Sequence, residues 1–191
     1  MNGFEARRLT FLLALAAFGL GALQTARAQQ ITGFYKTFCY GSGADGSIGV
    51  DCPCGNTVPV GTFAGCKNRT GNGASLDPTG NPSVSQDTLV LTASGAPTGA
   101  HGFFFAGHAM RSSTVLGNGV RCIQGPLVRL SKVAHSSAQD SIPPPNTPPI
   151  SQLLNAAPGD VSFFQFLYRD LNGPCNAGAN ASNAVLVIWG A

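Results

Sequence analysis

Six cysteines place the tightest limit on how this chain folds: Cys39, Cys52, Cys54, Cys66, Cys122 and Cys175. An even number in an exported chain argues for a disulfide framework, and six cysteines allow 15 pairings. Cys52 and Cys54 are two positions apart, too close to bridge each other without strain. The two distant cysteines, Cys122 and Cys175, are expected to pair across a β domain. The first four then close as Cys39–Cys52 with Cys54–Cys66, or as Cys39–Cys54 with Cys52–Cys66. The second option is preferred, because it staples one compact loop unit twice. A four-cysteine metal site is the competing reading. Structural zinc sites separate neighbouring ligands by two to four residues, and the single residue between Cys52 and Cys54 fits that poorly, so no metal site is expected.

The N-terminus supplies the export argument. Arg7 and Arg8 form a positive start, Leu9 to Leu23 is an almost uncharged apolar run, and Ala26-Arg27-Ala28 has the small-x-small form of a signal-peptide cleavage site. Residues 1–28 are therefore expected to be removed, with cleavage before Gln29. The apolar run covers 15 residues, whereas a spanning helix wants roughly 20. Cleavage leaves 163 of the 191 residues, enough for one domain with a core. Eight Lys and Arg then face seven Asp and no Glu. A net charge near +1 gives no reason to expect nucleic-acid binding. No later run approaches membrane-spanning length, so the mature chain is expected to be secreted or periplasmic, without a membrane span.

Two regions follow by composition. Residues 29–72 are rich in Cys and Gly with little periodicity, and read as a disulfide-stapled loop unit. Residues 73–191 carry short apolar runs separated by turn signals, the pattern of a β domain. Thr88–Thr92, Gly102–Gly107, Gly119–Ile123, Pro126–Val133, Val161–Arg169 and Ala184–Trp189 are expected strands. In Val161–Arg169, Phe164, Phe166 and Tyr168 share one face, while Val161, Phe163, Gln165 and Leu167 share the other. The last strand is apolar throughout and is expected to be central. Five prolines between positions 143 and 149 exclude helix and a central strand there. With no helical segments for βαβ crossovers, the expected fold is all-β: an antiparallel β-sandwich, jelly-roll-like, preceded by the stapled loop unit.

Several segments together resemble a known kind of module. They are Cys52-Pro53-Cys54-Gly55-Asn56, Gly65-Cys66-Lys67-Asn68, Asp87 to Gly95, Gly117-Asn118-Gly119-Val120-Arg121-Cys122, Tyr168-Arg169-Asp170 and the closing Ala184-Val185-Leu186-Val187-Ile188-Trp189. In that order they are similar to an uncharacterised β-rich module of secreted bacterial proteins, often the C-terminal part of much larger extracellular chains. The resemblance covers roughly Phe38 to Trp189. It implies an extracellular setting and a β architecture, and no reaction.

The residues assemble no standard catalytic signature. Gly-x-Ser-x-Gly is absent; Asp45-Gly46-Ser47-Ile48-Gly49 misses it at its first position. Candidate bases for a non-standard Ser/His/Asp hydrolase site, esterase- or glycosidase-like, are His101, His108 and His135, with Asp170 as a candidate acid. Arg169 and Tyr168, at the end of the aromatic strand, are candidate binding residues, Arg169 for an acidic ligand. The phenylalanines at 103–105, 163, 164 and 166 would line a carbohydrate platform or fill the core. Asp45 and Asp51 in glycine-rich sequence are candidate binding residues as well, with calcium held by carboxylate and backbone oxygens as the one cofactor considered. The functional expectation is a secreted, disulfide-stabilised binding or structural module for a polysaccharide or cell-surface component. The extracellular hydrolase is the alternative.

Overall fold

A computed structural model of the chain describes residues 31–43, 51–135 and 139–191. The expected signal peptide and its cleavage site lie outside these residues, as does Asp45. The described chain is nearly all β and every strand pairing is antiparallel. Strands are β1 (Phe34–Phe38), β2 (Ser75–Thr79), β3 (Val90–Ser94), β4 (Ala100–Gly107), β5 (Ala109–Leu116), β6 (Gly119–Gln124), β7 (Val128–His135), β8 (Gln139–Ile142), β9 (Val161–Asp170) and β10 (Gly178–Ile188). A one-turn helix, α1 (Ile150–Leu153), follows the proline-rich loop. Among the described residues no helix is long and apolar enough to cross a membrane.

The strands form a five-stranded sheet in the order β1-β10-β9-β4-β7, a three-stranded sheet β2-β3-β8 and a hairpin β5-β6. Alternation along β9 explains how they stack. Phe164, Phe166 and Tyr168 join Leu76, Leu91, Ile142 and Trp189 in a core shared with the three-stranded sheet. Phe163 faces the other way, into a second cluster with Phe38, Phe105, Val120, Ile123 and four of the cysteines. Because side chains alternate between faces, β9 is buried along most of its length only by having a layer on each side. The five-stranded sheet is thus a middle layer. The sandwich of this sheet with β2-β3-β8 matches the expectation, and the hairpin adds a third layer. Sheets of five, three and two strands are what the chain builds, and a jelly-roll strand order is not established by them.

Buried polar side chains in the middle sheet reach both outer layers. Gln165 accepts the Cys122 amide proton at 3.2 Å and donates to the carbonyls of Val120 and Ser182 at 2.9 and 2.8 Å, so it serves as a backbone partner for β6. On the opposite side, Asn183 accepts from the Leu76 amide at 2.7 Å and donates to the Leu76 carbonyl at 3.0 Å, serving β2 in the same way. Asn183 sits in the register shift of β10 between Ala181 and Ala184. An irregularity there releases side chains from strict alternation. Trp189 is fully buried, and its indole N–H donates to Ser162 Oγ at 2.9 Å.

Two expectations need correction. Residues 29–72 do not stand apart as a unit before the sandwich: β1 pairs with β10 at the edge of the main sheet. The disulfides are Cys39–Cys122, Cys52–Cys66 and Cys54–Cys175, with Cα separations of 6.2, 5.6 and 5.6 Å. Of the preferred pairs only Cys52–Cys66 forms; Cys122–Cys175 and Cys39–Cys54 do not. The reason is the fold itself. The β5-β6 hairpin packs against β10 and β9, and Cys122 meets Cys39 in the second core.

Close packing in the middle layer makes one glycine indispensable. A Cβ on Gly102 would strike the ring of Phe166, which is fully buried. Gly102→Ala is expected to cost about 1–3 kcal/mol, read as a lowered midpoint in thermal denaturation. An unchanged midpoint would show that the ring has room to move.

Candidate functional site

The motif residues that looked scattered in sequence meet in one buried network. Asp170 is fully buried and no cation pairs with it among the described residues. Its carboxylate accepts from the Arg69 backbone N–H at 3.1 Å, from Asn118 Nδ2 at 2.9 Å and from Asn180 Nδ2 at 3.2 Å. Asn118 in turn accepts the amide protons of Cys175 and Ala177 at 3.0 and 3.2 Å. Its carbonyl receives Asn56 Nδ2 at 2.6 Å, and Asn56 also donates to Lys67 O at 2.7 Å. Asn68 donates to the Tyr168 hydroxyl at 3.3 Å and to Gly95 O at 2.9 Å, and it holds its own turn by accepting from Thr70. A charge supported by amide donors alone holds its place when those donors are fixed by the surrounding backbone. Here they are fixed by the Cys54–Cys175 and Cys52–Cys66 bridges on either side.

Tyr168 belongs to this interior. Burial pushes its phenol well above the usual tyrosine range, and the hydrogen bond from Asn68 only partly opposes that. An unfolded tyrosine ionises near pH 10. Beyond that pH the unfolded chain loses this proton while the folded chain keeps it, so stability is constant below about pH 10 and falls above it. Tyr168→Phe is expected to flatten the alkaline fall, measured as denaturant midpoints across pH 8–11. An identical fall in both proteins would assign it elsewhere.

Alternation then sets the outer face. Asp170 points inward, while its neighbour Arg169 is exposed. Arg169, His101, Phe103, Arg129, Leu167 and Tyr168 line an open groove of about 660 Å³. A second groove of about 310 Å³ is continuous with it through Phe103, Arg129 and Leu167, and adds Phe105, Leu116, Leu127 and Arg121. Together they form a shelf on the part of the middle sheet that the β5-β6 hairpin leaves uncovered. The Arg129 guanidinium lies 4.3 Å from the centre of the Phe103 ring. Arg121 Nε is buried without a hydrogen-bond partner. Among the described residues no acidic side chain lines either groove.

The sequence candidates divide accordingly. His101 and Arg169 come together in the larger groove, which Tyr168 borders while its side chain stays in the interior. Asp170 is in the interior network. His108 is exposed at the turn between β4 and β5 and lines neither groove. His135 is described by its register opposite Ala100, and its side chain lies outside the described set. Neither His101 nor His108 has a side-chain hydrogen bond to a serine or aspartate among the described residues. Asp51 is exposed beside Cys52. Among the described residues no group of three His, Cys, Asp or Glu side chains could hold a metal ion. Arg121 and Arg129 were missed at the level of sequence, although both alternate with apolar neighbours in Val120-Arg121-Cys122 and Val128-Arg129-Leu130, the mark of a strand with one polar face. The chain matches no protein-family model, no curated protein and no solved structure.

Proposed function

We propose that this is an exported binding module whose ligand is a polysaccharide of the extracellular space or cell surface. The observation that carries the reading is the shelf: an open, shallow surface with Phe103 and Leu167 as an apolar floor and guanidinium groups around it. A long, flat ligand fits such a surface better than a small molecule does, because small-molecule sites enclose most of their ligand. The export signal at residues 1–28, the three disulfides and the resemblance to modules of secreted bacterial proteins support the extracellular setting.

Retention on a panel of neutral and acidic polysaccharides in affinity electrophoresis tests the reading. Binding to at least one is expected, weakened about tenfold by Phe103→Ala, since aromatic contact contributes on the order of 1 kcal/mol beyond area burial. A blank panel accompanied by hydrolysis of a glycan or ester substrate would replace it with the hydrolase.

A further inference from the structure

The charge of the shelf narrows the ligand further. Arg121, Arg129 and Arg169 approach it from three strands, β6, β7 and β9, and none forms an ion pair among the described residues. Arg129 is held over Phe103, so its planar fork is pre-organised before any ligand arrives. Arg121 lines the smaller groove with a buried, unpartnered Nε–H, a donor that lacks an acceptor. A guanidinium matches a carboxylate through two parallel hydrogen bonds.

Spacing favours a chain-like ligand. Arg129 lies opposite Phe105 on β4, and Phe105 lies opposite Gln165 on β9, four residues before Arg169. Two strand spacings across and four residues along place the two arginines roughly 15 Å apart at Cα. The two continuous grooves, with Arg121 in the smaller one as a third cation, offer more anchoring points than one small anion would occupy. We infer that the ligand is a linear, carboxylated polysaccharide lying across both grooves, its sugar rings on Phe103 and Leu167 and its carboxylates on Arg129 and Arg169. The inference rests on the polysaccharide reading above. A polynucleotide, with a phosphate on every residue, calls for a broader basic surface than a chain of net charge +3 supplies.

The test uses the folded, disulfide-bonded protein in affinity electrophoresis against polygalacturonate, its methyl ester, dextran, polyglutamate and single-stranded DNA. Polygalacturonate is expected to retard the protein, less so as salt rises. Arg129→Ala and Arg169→Ala should each weaken retardation about tenfold, with circular dichroism unchanged. Lys36→Ala removes one charge from the far edge strand β1 and should leave retardation unchanged. Equal retardation by the methyl ester, insensitive to both arginines, would overturn the charge inference and leave the polysaccharide reading standing. No retardation by any polysaccharide would overturn that reading itself. Equal retardation by polyglutamate or DNA through the same arginines would overturn the saccharide class.

Discussion

Reduction of the three disulfides is expected to unfold the protein. Cys39–Cys122 closes 83 residues and Cys54–Cys175 closes 121, while Cys52–Cys66 closes 14. Restricting the unfolded chain with loops of those lengths contributes about 4–5, 4–5 and 3 kcal/mol in the chain-entropy treatment. Even with allowance for overlapping loops, that rivals the 5–15 kcal/mol total of an ordinary domain. The two long bridges also anchor residues 39–43 and 51–72, which carry none of the named strands. Loss of the native circular dichroism spectrum on adding a thiol reductant, without denaturant, is the expected reading. A reduced protein that melts within a few degrees of the oxidised one would mean the sheets suffice alone. Peptide mapping without reduction should recover the same three links. A peptide joining Cys122 to Cys175 would contradict the fold described here.

Asp170→Ala is expected to have the next largest effect, a loss of about 4 kcal/mol. The substitution strips the acceptor from the Arg69 amide and from one N–H each of Asn118 and Asn180, whose amides keep only the backbone carbonyls of Asp170 and of Cys66 and Lys67, and each buried orphan costs about 1–3 kcal/mol. For a chain of this size that is a fall of roughly 10 °C in Tm. Asp170→Asn keeps an acceptor for two of the donors and sets an N–H against the third, so roughly half the loss is expected. Asn118→Ala removes a donor to Asp170 and strands two further amides, and together with Asp170→Ala the losses should fall short of additive by more than 1 kcal/mol. A fall below 2 °C for Asp170→Ala would show that removing an uncompensated buried charge offsets the broken hydrogen bonds.

The strands were legible wherever side-chain alternation is set by burial. Val161–Arg169 announced its two faces through Phe164, Phe166 and Tyr168 against Phe163 and Leu167, and both faces are where that pattern put them. The weakly apolar strands β1, β2 and β5 left no such trace, since Phe34-Tyr35-Lys36-Thr37-Phe38 and Ser75-Leu76-Asp77-Pro78-Thr79 owe their pairing to neighbours far along the chain. Cysteine pairing was illegible for the same reason: spacing limits which bridges can close, and the packing of layers decides which do. Arg169 was readable as a groove residue because it ends an aromatic strand. Arg129 was not, because its place beside Phe103 depends on the register of β7 against β4 and on the shift between Phe104 and Phe105. The interior network was hidden differently. Asn56, Asn68, Asn118 and Asp170 are each common turn residues, and only three dimensions show that they converge.

The order of the bridges also has a consequence in time. A chain that meets an oxidant N-terminus first presents Cys39, Cys52, Cys54 and Cys66 together, while the partners of Cys39 and Cys54 are still 83 and 121 residues behind them. Of the native bridges, only Cys52–Cys66 joins two cysteines within that early group. Oxidation that links cysteines as they emerge gives Cys39–Cys52 and Cys54–Cys66, neither of them native, and only thiol exchange leads back from there. Reaching the native pairing therefore calls for thiol exchange as well as oxidation.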